Sequence, residues 1–236
     1  SLENQSATID VALPACLRYT GPIMNRAIRD MTDALLQRHP CLAPLAGVLT
    51  AATEAIAGCH ARNGLVLLCG NGGSAADASH ISGELLKGFL NRRPPLPGQT
   101  DVLVREMGDA SLAAKLQRGL RAVNLCEASS IITATANDLG PELIFAQQVF
   151  ALGRPGDILI GLSTSGNAEN VTRAMQTARA AGLTTIGFTG ACPGRMDPFC
   201  DLLFKVPESE TYRIQELHLP LYHALCAQVE AACFGT

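Results

Sequence analysis

Apolar residues recur at spacings of three and four through residues 22–38 and again through 43–62, the rhythm of helices that each bury one face. The spacing predicts two helices packed as a lead-in. "GLVLLCG" (64–70) then breaks the rhythm with a continuously apolar run, the pattern of a strand covered on both faces in a parallel sheet, and it ends directly in a glycine loop. A helix is expected over 75–89. "NRRPPLPGQTD" cannot continue it, because proline lacks an N–H and crowds the preceding turn, so an insertion of about 91–123 opens there, with a helix expected over 106–120. "AVNL" reads as a strand, 142–152 as a helix, "DILIGLS" as a strand, 169–181 as a helix, "TTIGFTG" and "DLLFKVP" as strands, and 211–231 as a closing helix. Alternating strands and helices predict an α/β domain with a parallel, doubly wound sheet, because parallel neighbours need crossover connections. The expected organisation is a helical lead-in at 1–42 and one α/β domain at 43–236, with no internal repeat or low-complexity tract.

Composition narrows the function classes. At 236 residues, 47% of them hydrophobic, the chain can bury a full core. Its formal charge of −3 leaves no broad basic surface for a nucleic-acid backbone, so no nucleic-acid partner is expected. The nine cysteines are scattered without a C-x-x-C pair, which fits a reducing cytoplasm better than a disulfide framework. No apolar stretch is expected to approach the roughly 20 residues that cross a bilayer, and "SLENQSATID" lacks the charged and apolar regions of a signal peptide. The chain is therefore expected to be soluble and free of the membrane. Ser1 in place of methionine reads as a processed start, and the first dozen residues carry no structural weight.

Two polar, glycine-containing loops follow expected strands, "GNGGS" (71–74 after Gly70) and "STSGN" (163–167), the positions where ligands gather in such sheets. Ser163, Thr164, Ser165 and the amides around Gly166 offer hydroxyl and N–H donors at the start of a helix entered at Ala168 or Glu169, where the dipole favours a phosphate. A single such loop is equally well explained as a helix cap. Neither loop matches the P-loop or the G-x-G-x-x-G fingerprint, so no nucleotide cofactor is indicated.

"STSGN" resembles the phosphosugar-binding loop of the sugar isomerase (SIS) domain, and "GNGGSAADASH…E" with "RIQELHLPLYH" resembles the phosphoheptose isomerases within that superfamily. The likeness covers about residues 43–90 and 124–231. It implies a flavodoxin-like SIS domain, a homotetramer with active sites near subunit interfaces, and conversion of sedoheptulose 7-phosphate to D-glycero-D-manno-heptose 7-phosphate. It also implies that Asn71, Gly72, Gly73, Ser74, Asn137, Asp138, Ser163, Thr164, Ser165 and Gln215 bind substrate, with Glu84 shared between binding and chemistry. Glu84 and His223 would be the acid/base pair, and His80, Glu84, Gln215 and His223 would hold one zinc ion per subunit.

The residue types suit that chemistry. An aldose–ketose exchange moves a proton between adjacent carbons through an enediol, which needs a base near C1 and C2 and a proton donor for the oxygens. His80 and Glu84, four apart, share one helix face, although such a pair is more often a solvated or capping one. Gln215 and His223 are eight apart, about 12 Å on a straight helix and long for one metal. Pro220 between them is expected to kink the helix, or the ligands come from different subunits. His218 is the weaker candidate, structural or at the surface.

The chain also departs from the pattern. Ala168 replaces the loop's final serine and Tyr212 an acidic residue before "RIQE", and the arginine usual after the helical glutamate is missing. Lys87, Arg92 or Arg93 would replace its charge, with exposed charge as the plainer reading. Two other readings stay open at this point: an isomerase or sensor for another sugar phosphate, and a non-catalytic SIS protein like the relative that binds a replication initiator. That relative lacks the glutamate and histidine present here.

Overall fold

The computed structural model describes residues 26–235, so the first positions of the helix expected from residue 22 lie outside it. Helix α1 (Arg26–Arg38) and helix α2 (Ala46–Ala61) precede strand β1 (Val66–Cys69), helix α3 (Gly73–Leu86), helices α4 (Pro97–Met107) and α5 (Ala110–Ala113), and strand β2 (Ala122–Asn124). Helices α6 (Ser129–Asp138) and α7 (Ala146–Leu152), strand β3 (Ile158–Leu162), helix α8 (Glu169–Ala180), strands β4 (Thr184–Thr189) and β5 (Leu202–Lys205) and helix α9 (Thr211–Phe234) complete the chain.

All five strands are parallel, in the order β2-β1-β3-β4-β5. That order is the flavodoxin-like one, and the chain reverses direction across the sheet between β1 and β3. β1 and β3 are buried throughout because helices cover both faces. Val66, Leu68, Ile158 and Ile160 point into one core with residues of α2, α3 and α9, while Leu67 and Leu159 point into the other with Val149, Val171 and Met175. The two-residue alternation of the strands thus feeds two cores from one continuous apolar run.

Several expected elements shift. The helix placed over 106–120 is instead α4 and α5: Pro97 sits in the first turn of α4, where its missing N–H costs nothing, Gly108 ends it with φ 68°, and Asp109 caps α5 by accepting from the Ser111 and Leu112 amides. The proline-rich stretch therefore starts a helix as well as ending one. α6 had no counterpart in the expectation, since "SSIITATAND" is β-branched and shows little periodicity. The helix over 142–152 divides into a 3-10 turn, Pro141–Leu143, and α7. Contrary to the expectation that no stretch approaches membrane-spanning length, Pro40–Ala61 is long and apolar enough by length and composition. Its apolar character answers to the protein interior: Leu42, Leu45, Leu49, Ala52 and Ile56 lie in the core shared with α9 and the sheet. Pro220 lies inside α9, which runs unbroken from Thr211 to Phe234.

One ion pair fixes how α3 and α9 sit together. Arg93 and Glu230 are each 1% exposed and meet Nε to Oε1 at 2.7 Å. The rest of the guanidinium donates to the Leu85 and Glu84 carbonyls at the C-terminal end of α3 (2.9 and 3.1 Å), groups a helix end otherwise leaves without a partner. The Glu230 carboxylate also accepts from the amides of Phe89, Leu90 and Asn91 at 2.8, 2.8 and 3.0 Å. Burial opposes its ionisation, but those amides and Arg93 outweigh burial and hold its carboxyl below the usual range. Arg93 is thus neither exposed nor available to a substrate, correcting both roles expected of it. Lys87 and Arg92 are exposed, and each donates to a backbone carbonyl, of Gly88 and Ala114 respectively.

Removing one member of a buried, hydrogen-bonded pair leaves the other charge uncompensated, so Arg93→Met is expected to destabilise the fold by about 3–5 kcal/mol in urea denaturation. Because the folded carboxyl of Glu230 titrates below its unfolded value, its contribution is present above that unfolded value and is lost as pH falls through the folded one. The stability gap between the wild type and Glu230→Gln should therefore narrow on acidification below pH 4; a gap that widens there would refute the assignment.

Candidate functional site

The two polar loops leave the carboxyl ends of β1 and β3, neighbouring strands at the point of reversal. They are tied to each other: the Asn71 amide donates to Asn170 Oδ1 at 2.8 Å and the Asn170 amide donates back at 3.0 Å. In the first loop Gly72 takes φ 54° and ψ −121°, a conformation that a side chain would strain, and it turns the chain into α3. Ser74 is buried in the first turn, its N–H bonded to the Asn71 carbonyl. The Gln215 amide lies so close over Gly73 that a Cβ there would stand 2.3 Å from its Nε2.

The second loop is held by its own side chains and backbone. Ser163 Oγ accepts from the Ala168 N–H at 3.5 Å, Ser165 Oγ accepts from Asn167 N–H at 3.2 Å, and Thr164 supplies its carbonyl to the Gly190 N–H. Gly166, at φ 66°, packs directly against Gly194. Ala168 is the N-cap of α8 and makes no side-chain cap bond among the described residues; in the first turn the Val171 N–H donates to Asn170 Oδ1 at 2.9 Å. Arg195 braces the loop from outside through the Asn167 carbonyl (2.7 Å) and Glu169 (2.6 Å), and Glu169 also meets Arg173 at 2.8 Å.

Two to three turns along α3 from the first loop, α3 and α9 bring together three of the four expected metal ligands. His80 Nε2 is 3.2 Å from Glu84 Oε1 and 3.4 Å from His223 Nε2, across 143 positions of sequence. Gln215 is held apart, against Gly73 about two turns upstream of His80 on α3. Among the described residues no three His, Cys, Asp or Glu side chains are closed into a metal cage; the contacts run pairwise through His80. Asn137 and Asp138 stand at the exposed end of α6, hydrogen-bonded to each other at 2.7 Å. His218 is structural: it is buried, edge-on to Phe188, with Nε2 3.3 Å from the Thr189 carbonyl, and burial lowers its pKa to about 4.

Two site residues were not singled out for a role in the sequence. Tyr222 donates its hydroxyl to Asp77 Oδ1 at 3.2 Å, and His80 Nδ1 lies 3.1 Å from the same oxygen. A hydroxyl already donating to a carboxylate accepts from its other neighbour, which puts a proton on Nδ1 of His80 and leaves Nε2 facing Glu84 and His223. Burial raises the Asp77 pKa, partly offset by Tyr222 and His80; burial and the Asp77 charge push Tyr222 up as a phenol. Burial and the neighbouring His80 lower the His223 pKa, against the pull of Glu84. The spacing of Asp77 and His80 was the only signal for this chain in the sequence, because Tyr222 reaches it only once α9 packs on α3.

Around His80 Nε2 the Glu84 carboxylate and the His223 ring stand at distances that a shared proton would bridge. A tetrahedral zinc with bonds of about 2.0–2.1 Å would separate its nitrogen and oxygen ligands by about 3.3–3.4 Å, close to the two distances here. Tyr222→Phe should cost about 1 kcal/mol of stability for the lost hydroxyl bonds but a further 10–100-fold in turnover, through the orientation and tautomer of His80. Turnover unchanged by this variant would show that the hydroxyl does not orient His80.

A family model of the SIS domain matches residues 33–119 and 104–190. The chain is 42% identical over 193 residues to the phosphoheptose isomerase of Rhodospirillum rubrum, covering 82% of this chain and 86% of that one. It is 41% identical over 218 residues to the phosphoheptose isomerase of Burkholderia pseudomallei strain K96243, covering 89% and 98%. Among solved structures it is similar to the phosphoheptose isomerase of Neisseria gonorrhoeae, at 33% identity with a TM-score of 0.66 over 87% of this chain and 96% of that one.

Proposed function

The chain belongs to the phosphoheptose isomerases of the SIS-domain superfamily, and from that membership we propose how its residues divide the work of the reaction. The enzyme is an aldose–ketose isomerase that converts sedoheptulose 7-phosphate to D-glycero-D-manno-heptose 7-phosphate through an enediol. The observation that supports the residue assignment is the meeting of α3 and α9 at His80, which brings Glu84 and His223 to the same imidazole on the helix that leaves the glycine loop.

The phosphate occupies the cradle of Ser163, Thr164 and Ser165 at the N-terminus of α8. Asn71, Gly72, Gly73 and Ser74 receive the sugar at the start of α3, with Gln215, Asn137 and Asp138 completing the polar contacts. Glu84 takes the proton from C1 of the ketose and returns it to C2. His223, whose depressed pKa favours a neutral ring near pH 7, shuttles the proton between O1 and O2. His80, Glu84 and His223 are read as holders of one zinc ion, which would supply Lewis-acid polarisation of the carbonyl, and Gln215, which lies against Gly73 in this subunit, would have to reach that ion from another subunit. The mixed nitrogen and oxygen donors suit zinc better than calcium or magnesium.

We read the enzyme as a homotetramer in the cytoplasm. An apolar groove of about 530 Å³ runs beside His223, lined by Met31, Phe89, Leu90 and Leu219, and supports a subunit contact next to the site. The cysteines among the described residues are all free, in keeping with a reducing compartment.

Glu84→Gln keeps size and hydrogen bonding but removes the basic carboxylate. Turnover should fall by at least ~10²-fold while the phosphosugar-induced thermal shift persists, and exchange of the C1 proton with solvent deuterium should vanish with it. Near wild-type exchange would remove Glu84 from the base role. Chelation followed by elemental analysis separates the zinc reading: activity should fall as zinc leaves and return when it is added back. Full activity in metal-free protein would leave these residues with acid/base and polar roles only.

A further inference from the structure

At the opposite end of the sheet from the catalytic loops lies a polar cavity of about 550 Å³, and nothing in the reaction uses it. Its walls come from the segments that enter β1, β2 and β3, strands adjacent in the order β2-β1-β3. Each segment contributes an arginine: Arg62 before β1, Arg121 before β2 and Arg154 before β3. Strand order, not sequence proximity, brings the three together.

None of the three forms an ion pair among the described residues. Arg62 donates to the Gly156 carbonyl at 3.5 Å and Arg121 to the Asn63 carbonyl at 2.6 Å, while the Arg154 guanidinium has no partner among the described residues. The one carboxylate in the lining, Asp157, is buried and committed to the backbone: Oδ1 accepts from Leu65 N–H at 2.7 Å and Oδ2 from Arg154 N–H at 2.9 Å. It joins the two strand-entry loops and forms no ion pair among the described residues. Arg62 also caps the C-terminus of α2, where a cation complements the helix dipole, but that role accounts for one arginine of the three.

We infer that this cavity is a second anion site, separate from the catalytic crevice, for a small molecule carrying at least two phosphate charges. Guanidinium forks match phosphate oxygens in pairs, and the volume lies within the range of small-molecule pockets. Three cations with one committed carboxylate leave a surplus of positive charge that a single monoanion would not neutralise.

Inorganic pyrophosphate is the probe, titrated calorimetrically into the full-length chain at constant ionic strength. Saturable binding should weaken roughly tenfold or more in Arg62→Gln/Arg154→Gln, since bonds to charged groups are lost, and should be unchanged in Ser165→Ala. In labelled wild-type protein, pyrophosphate should shift the amide resonances of Gly64 and Gly156, a readout that does not depend on the double variant folding. The inference is overturned by absence of saturable binding, by binding that survives the double substitution, or by binding that Ser165→Ala abolishes, which would place the anion in the catalytic cradle.

Discussion

The geometry of the catalytic centre depends on the buried pair of Arg93 and Glu230. Desolvating two charges is expensive, and such a pair is tolerable only when hydrogen bonds satisfy what remains of both groups. Here they do: Glu230 gathers three backbone amides besides the guanidinium, and Arg93 takes up two carbonyls at the end of α3 and lies 4.6 Å from the centre of the Phe234 ring. One of those carbonyls belongs to Glu84 itself. The clamp therefore ties the backbone of the proposed base to α9, the helix that carries His223. A hydrophobic pair of similar volume would fill the space but would permit α9 to slide along α3, and the 3.4 Å contact between His223 and His80 has little tolerance for sliding.

The same economy of charge governs the phosphate cradle. Its nearest arginines, Arg173 and Arg195, are both engaged by Glu169 in the first turn of α8. An incoming phosphate meets N–H and hydroxyl donors and the positive end of a helix, not a free guanidinium. Glu169 at the start of α8 would repel a phosphate if it were unpaired, and its ion pairs with Arg173 and Arg195 offset that charge. The two proposed anion sites would thus differ in kind: N–H and hydroxyl donors at the carboxyl ends of the strands, and arginines without ion pairs among the described residues at the amino ends.

What could be read from the sequence follows from which forces are local. The strands were legible because β1 and β3 are covered on both faces and so read as unbroken apolar runs, and the two loops were legible because ligand loops follow strands in this architecture. α6 was not, because its Ile and Thr positions carry strand-like propensity that packing overrides. Arg93 was misjudged for a related reason. An arginine two positions after Asn91, next to prolines, looks solvated, and only its partner at Glu230, 137 positions away, explains its burial. Tyr222 likewise resembled one more apolar residue of a closing helix until Asp77 and His80 stood opposite it. Pairs joined only by the tertiary fold leave no periodic trace.

Asp77, Tyr222 and His80 also explain why one cluster can be read as either an acid/base site or a metal site. With Nδ1 held by the tyrosine oxygen, the lone pair on Nε2 faces the carboxylate of Glu84 and the ring of His223, and three electron-rich groups at such distances repel one another unless a positive charge lies among them. A proton or a zinc ion would each meet that need, and the contact of Nδ1 with the Tyr222 hydroxyl sets the orientation of the ring for either. The cost is carried by Asp77, whose Oδ2 is buried without a partner and whose ionisation burial resists. The electrostatic expense therefore falls on Asp77, which reaches His80 only through the Tyr222 hydroxyl.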